Sequence, residues 1–165
     1  MKTVFFLCVY NASRSIMAEA ILNHVGQGRF KALSAGERAI GEVHPLTLQT
    51  LAAHGIPTEG LRSKSWAHFF GLAAPRFDYL ITVCDDALDE SATRDSSQPV
   101  KAHWSTPNPL MGGRTEAEIL EALERTYQLL RARIDALVAL PLERMNREAV
   151  RVALAHIGKK AAPGG

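Results

Sequence analysis

The apolar positions of this chain fall into short runs of strand length alternating with stripes of helical spacing. Residues 3–7 are almost wholly apolar, the pattern of a strand buried on both faces. A brief polar loop follows. Residues 15–25 then place Met17, Ala18, Ala20, Ile21, Leu22 and Val25 on a largely apolar helical face. Residues 30–34 predict a second strand, stopped by Ala35 and Gly36. Residues 45–54 predict a helix with Pro45 at its start and Gly55 closing it. A short helix is expected over 65–70 and another buried strand over 78–83, ending at Cys84.

Residues 85–99 are polar and loop-like, and 99–103 predict a short strand. Pro107, Pro109, Gly112 and Gly113 mark 105–113 as a loop. The longest helical pattern spans 115–138, with Ile119, Leu120, Leu123, Tyr127, Leu130, Ile134 and Leu137 on one stripe. Residues 141–156 predict one more helix. Residues 1–158 read as one domain and 159–165 as a flexible tail. Strands alternating with helices imply an α/β fold with a parallel sheet and right-handed crossovers. In such folds ligands bind beyond the carboxyl ends of the strands. Cys8 and Cys84 each follow a strand end, so the architecture puts both on one rim.

Composition narrows the function classes. The formal net charge of +2 over 165 residues, without a long basic run, argues against nucleic acid or a membrane surface as partner. No stretch approaches the roughly 20 apolar residues of a membrane span. The apolar run at the N-terminus is short and meets polar residues at Asn11, so it reads as a strand and not a secretion signal. Two cysteines are far from a disulfide scaffold, and a reducing, cytoplasmic setting is the default expectation. No His/Cys cluster has metal-ligand spacing, so no transition metal is expected.

The chemistry is expected at the loop between the first strand and the first helix. Its spacing is Cys8, five residues, Arg14, Ser15. A loop entering a helix N-terminus aims several main-chain N–H groups at one point, with the helix dipole behind them. Arg14 adds a planar charged fork that holds two oxygens at once. Tyr10, Asn11, Ala12, Ser13, Arg14 and Ser15 are therefore the expected oxyanion-binding segment. The same field favours a thiolate at Cys8, within attack distance of the bound anion. Asn11 tolerates a left-handed backbone, Ser15 can set a hydroxyl against the Cys8 sulfur, and Ser13 can brace the loop. The competing reading is that a cysteine at a strand end is a small buried hydrophobe.

Cys8-x-x-Asn11-x-x-Arg14-Ser15, followed by Ile16-Met17-Ala18-Glu19-Ala20, resembles the loop and first helix of arsenate reductases of the low-molecular-weight protein tyrosine phosphatase superfamily. The likeness continues through Ser34-Ala35-Gly36, Val43-His44-Pro45, Gly60 to Trp66, Phe77-Asp78, Thr82-Val83-Cys84-Asp85 and Ala102-His103-Trp104. The resemblance implies a single domain with a four-stranded parallel sheet flanked by helices. It implies that Cys8 attacks arsenate and that Cys84 resolves the arseno-thiol adduct. It also implies no bound cofactor but an external thiol reductant, glutathione with glutaredoxin or thioredoxin. Asn11, Glu19 and Ser34 resemble positions that hold a potassium ion in some relatives, although Glu19 on a helix reads as a surface charge.

Three positions depart from the family pattern. Many relatives carry a third cysteine where this chain has Ser91-Ala92. The family's Asp-Pro, whose carboxyl protonates the leaving oxygen, is replaced in Pro107-Asn108-Pro109, and losing a general acid costs about 10²–10⁴-fold in rate. Tyr10 stands where many relatives have Gly or His, so strain in the cradle or a wall on one side of it is expected. Asp85 and Asp86 read as solvated carboxylates, His44 as a helix-start residue, and His103-Trp104 as a brace for the loop bearing Asn108. Three functions fit these residues. They are arsenate reduction, a phosphomonoesterase of the tyrosine phosphatase type, and a non-catalytic oxyanion-binding protein.

Overall fold

The computed structural model describes residues 1–69, 76–84 and 99–160. In chain order the elements are β1 (Lys2–Cys8), α1 (Arg14–Val25), β2 (Phe30–Gly36), α2 (Pro45–Ala53), β3 (Tyr79–Thr82), β4 (Val100–His103), α3 (Glu116–Val138) and α4 (Arg147–Ile157). Short 3-10 turns occur at Trp66–Phe69 and Leu142–Arg144. The strands form one parallel sheet in the order β2-β1-β3-β4, flanked by the four helices as a single domain.

The apolar run of β1 is explained by its place inside the sheet. Val4, Phe6 and Cys8 face a core shared with α1, α3 and α4. Phe5 and Leu7 face the other side, where Phe5 stacks on Phe77 at 4.6 Å between ring centroids. Helix α1 is buried from Arg14 to Leu22, so it shows no single apolar stripe. Helix α3 keeps the expected stripe, with Leu123, Tyr127, Leu130, Ile134 and Leu137 buried. Its start is a capping box in which Thr115 accepts the Glu118 amide and Glu118 accepts the Thr115 amide.

Two expectations are corrected. The single helix expected over 141–156 is split. Met145 is extended, and the Asn146 side chain accepts the Ala149 amide, capping a new helix. The second strand does not stop at Ala35, because Gly36 pairs with Cys8 and its amide bonds the Lys64 carbonyl. Lys159 and Lys160 are tied to the end of α4 through the His156 and Ile157 carbonyls. Asp85, Asp86 and Ser91-Ala92 lie outside the described residues. No described helix is long and apolar enough to cross a membrane.

The strand order reverses direction between β1 and β3. A crevice opens at such a switch point, at the carboxyl ends of the two strands. Cys8 is the last residue of β1 and Cys84 follows β3 by two residues.

Candidate active site

Asn11 organises the loop after β1. It is fully buried and holds φ +50°, the left-handed conformation for which Asn is suited. Its Oδ1 accepts the main-chain amide of Lys64 at 2.6 Å. That donor fixes which end of the carboxamide is oxygen. Its Nδ2 therefore donates, to Ser15 Oγ at 2.7 Å and to Ser34 Oγ at 3.1 Å.

Ser15 Oγ in turn lies 2.8 Å from Cys8 Sγ. Because Ser15 accepts from Asn11, its hydroxyl hydrogen is available to the sulfur. The Asn11 amide also donates to Cys8 Sγ, at 3.2 Å. Ser15 and the Asn11 amide thus converge on one sulfur.

The start of α1 keeps its positive end open. Ser13 makes no side-chain capping bond, and its hydroxyl turns to Met17 Sδ at 3.8 Å. No acidic residue occupies the first turn. The N–H groups of the first turn and the dipole thus face the loop. Arg14 is buried, and its Nη1 donates to the Thr106 carbonyl at 2.9 Å. Thr106 also reaches the second cysteine, its amide donating to the Cys84 carbonyl at 3.4 Å. One residue after β4 therefore touches both Arg14 and the Cys84 segment. Cys8 and Cys84 are both buried and form no disulfide, and the Val83 amide bonds the Leu7 carbonyl, so the two strand ends run side by side.

The main chain of the loop is held from outside. Cys8, Val9 and Tyr10 carbonyls accept the amides of Glu37, Arg38 and Ile40, and the Ala12 carbonyl accepts that of His44. His44 is the helix-start residue expected, with Nδ1 accepting the Leu46 amide at 3.1 Å. Gly36 lies against the loop so closely that a Cβ there would sit 2.7 Å from the Val9 carbonyl.

Other expectations change. Tyr10 does not strain the cradle, since Asn11 is the one non-glycine residue with positive φ among the described residues. Its side chain is exposed, while its carbonyl also accepts from Ser63 Oγ at 3.3 Å. Asn108 is half-buried, and its Oδ1 accepts the Leu110 amide at 3.0 Å, so it shapes its own turn. Trp104 holds α4 through Nε1 to the Leu154 carbonyl at 3.0 Å, and its own carbonyl accepts the Thr106 hydroxyl at 2.7 Å at the start of the loop bearing Asn108.

Glu19 is not a surface charge. It is 7% exposed and lies 3.6 Å from Lys64 Nζ. Burial raises its carboxyl above the usual range, and Lys64 and Ser34 pull it back only in part. Burial likewise lowers Lys64, with Glu19 opposing. Sequence reasoning missed Lys64 and Thr106. The Arg62-Ser63-Lys64-Ser65-Trp66 segment was the available signal for the first. A groove of about 640 Å³ runs along β4 and α4, lined by Lys101, His103, Arg147 and Arg151, and neither cysteine lines it.

Comparison with known proteins matches residues 3–151 to the family described as low molecular weight phosphotyrosine protein phosphatase. An arsenate reductase of Shouchella clausii is 27% identical over 133 residues, covering 81% of this chain and 92% of the relative. A glutaredoxin arsenate reductase of Synechocystis is 25% identical over 139 residues, covering 84% and 98%. A solved arsenate reductase in its phosphate binding state superposes with a TM-score of 0.68 at 24% identity, over 84% of this chain and 98% of that one, a likeness of fold. The match over nearly the whole chain, on a parallel sheet with the cysteine loop at its switch point, places this protein in the low molecular weight phosphotyrosine protein phosphatase family.

Proposed function

We propose that the protein reduces arsenate to arsenite with electrons from thiols, in a reducing, cytoplasmic setting. The observation that carries this reading is the pair of buried cysteines, Cys8 and Cys84, not joined in a disulfide, at the carboxyl ends of adjacent strands. Similarity to arsenate reductases supports it. Tyr10 to Ser15 cradle the oxyanion with main-chain N–H groups and the Arg14 fork. Cys8 Sγ attacks arsenic, an S–As bond forms, and an arsenate oxygen leaves as water after taking up protons. The Cys84 thiolate then attacks Cys8 Sγ. The S–S bond forms, the S–As bond breaks, and its electron pair stays on arsenic, which leaves as arsenite. Two electrons have passed from two sulfurs to one arsenic. An external thiol, glutaredoxin with glutathione or thioredoxin, reduces the disulfide.

The test is arsenite formation with each reductant, on wild type, Cys8→Ser and Cys84→Ser. Wild type is expected to turn over with at least one reductant, and both variants are expected to be inactive. No arsenite with either reductant contradicts the proposal.

The family match supports a second reading, a phosphomonoesterase. That reaction uses the same cradle but needs a proton for the leaving oxygen. Asn108 carries no acidic proton, and its carbonyl is engaged with Leu110. Aryl phosphate hydrolysis that survives Cys84→Ser and is lost in Cys8→Ser would favour this reading.

A further inference from the structure

Beneath the Cys8 loop lies a buried carboxylate, Glu19, that the reaction does not use. A buried carboxylate requires a cation or a proton. Its partners form a closed circuit. Ser34 Oγ accepts from Asn11 Nδ2, so its own hydrogen is available to Glu19, as is the Ser34 amide. Lys64 Nζ stands 3.6 Å from Glu19 Oε1 and also donates to the Arg62 carbonyl at 2.7 Å. The main chain of Lys64 closes the circuit through Asn11 Oδ1, and Asn11 leads through Ser15 to the Cys8 sulfur.

The oxygens that resemble a potassium site do not fit one here. Asn11 Oδ1 is taken by the Lys64 amide, Ser34 Oγ is taken by Asn11, and the ammonium stands at Glu19. We propose that Lys64 is a built-in cation that does beneath this loop what a dissolved monovalent ion would otherwise do. Wild-type loop geometry is then indifferent to dissolved potassium or sodium. Removing the ammonium, while leaving Glu19, gives up its place between the Glu19 carboxylate and the Arg62 carbonyl, and a monovalent cation fills that place while Asn11 Oδ1 and Ser34 Oγ keep their present donors. Lys64 acts as a positioning residue, through Glu19, Ser34 and Asn11. Its main-chain bonds to Asn11 and to the Gly36 amide survive any side-chain change, so the variant retains the backbone brace.

The inference rests on the cradle reading but not on the redox step. A thermal midpoint read without any oxyanion separates its failure from failure of the proposed reaction. The experiment compares wild type, Lys64→Met, Lys64→Arg and the double variant Glu19→Gln/Lys64→Met. Each is measured in tetramethylammonium, sodium and potassium chloride at equal ionic strength. The readouts are thermal midpoint and affinity for inorganic phosphate.

Wild type and Lys64→Arg are expected to give the same values in all three salts. Lys64→Met is expected to lose at least tenfold in phosphate affinity in tetramethylammonium. Potassium or sodium then restores it and raises the midpoint by about 5 °C. The double variant, lacking the carboxylate, is expected not to respond. A wild type that itself responds to potassium overturns the proposal. So does a Lys64→Met protein with equal values in all three salts. If Lys64→Met does not fold in any salt, Lys64→Arg decides, and a potassium response in that variant overturns the proposal.

Discussion

Gly36 and Asn11 approach one another so closely that a Cβ on Gly36 would lie 2.8 Å from the Asn11 amide nitrogen. That nitrogen is the one that donates to Cys8 Sγ. The glycine at the end of β2 is therefore a condition for the geometry of the loop after β1. Gly36→Ala is expected to cost about 1–3 kcal/mol of stability through overpacking. The loop must shift to admit the methyl group, so phosphate affinity is expected to fall as well. Denaturant unfolding and calorimetric phosphate titration check both. Wild-type phosphate affinity in this variant would show that the close approach does not matter.

Arg14 bridges the cradle to the segment after β4 through Thr106. Lysine keeps the charge but loses the planar fork. Arg14→Lys is expected to weaken phosphate binding by roughly tenfold or more, with little change in the salt dependence of binding. Calorimetry at two salt concentrations measures both.

Asn108 sits where the family pattern places an acid, and its side chain already makes the turn to Leu110. Aspartate can accept the same amide. Asn108→Asp is therefore expected to fold normally and to raise aryl phosphate hydrolysis by about 10²-fold, the lower end of what a general acid contributes. An unchanged rate would mean that the loop bearing residue 108 does not reach the leaving oxygen.

The Glu19–Lys64 pair predicts a pH effect whose sign is fixed. Glu19 is raised above its ordinary 4.5 by burial. The folded state therefore binds its proton more tightly than the unfolded state. Its contribution is most favourable below 4.5 and is lost as pH rises through the raised value. The Lys64 ammonium holds that value down. In Lys64→Met, measured in tetramethylammonium chloride, the window of falling stability is expected to extend to higher pH than in wild type. Chemical denaturation at a series of pH values from 4.5 upward reads this. Parallel profiles for the two proteins would contradict it.

The sequence shows some of this plainly and hides the rest for physical reasons. Residues 3–7 announce a central strand because a strand buried on both faces has no polar position to spare. Cys8, Asn11, Arg14 and Ser15 are legible because they are close in sequence and each has a distinct chemistry. Glu19 is misread because α1 is buried nearly all round, so periodicity cannot tell which positions face water. Lys64 meets Asn11 across 53 positions, and Thr106 meets Arg14 across 92, contacts set by the sheet and not by local pattern. The break before α4 was visible only as Asn146, a cap residue inside an otherwise continuous helical pattern.

In the proposed reaction Cys8 and Cys84 together pass two electrons to a bound oxyanion. The decisive experiment mixes reduced protein with arsenate, without any added thiol. Intact-mass and peptide mass spectrometry read the disulfide, and released arsenite is quantified in the same sample. One Cys8–Cys84 disulfide and one arsenite per protein chain are expected, and neither in Cys8→Ser. Tight binding of the oxyanion with both thiols still free, and no arsenite released, would contradict it.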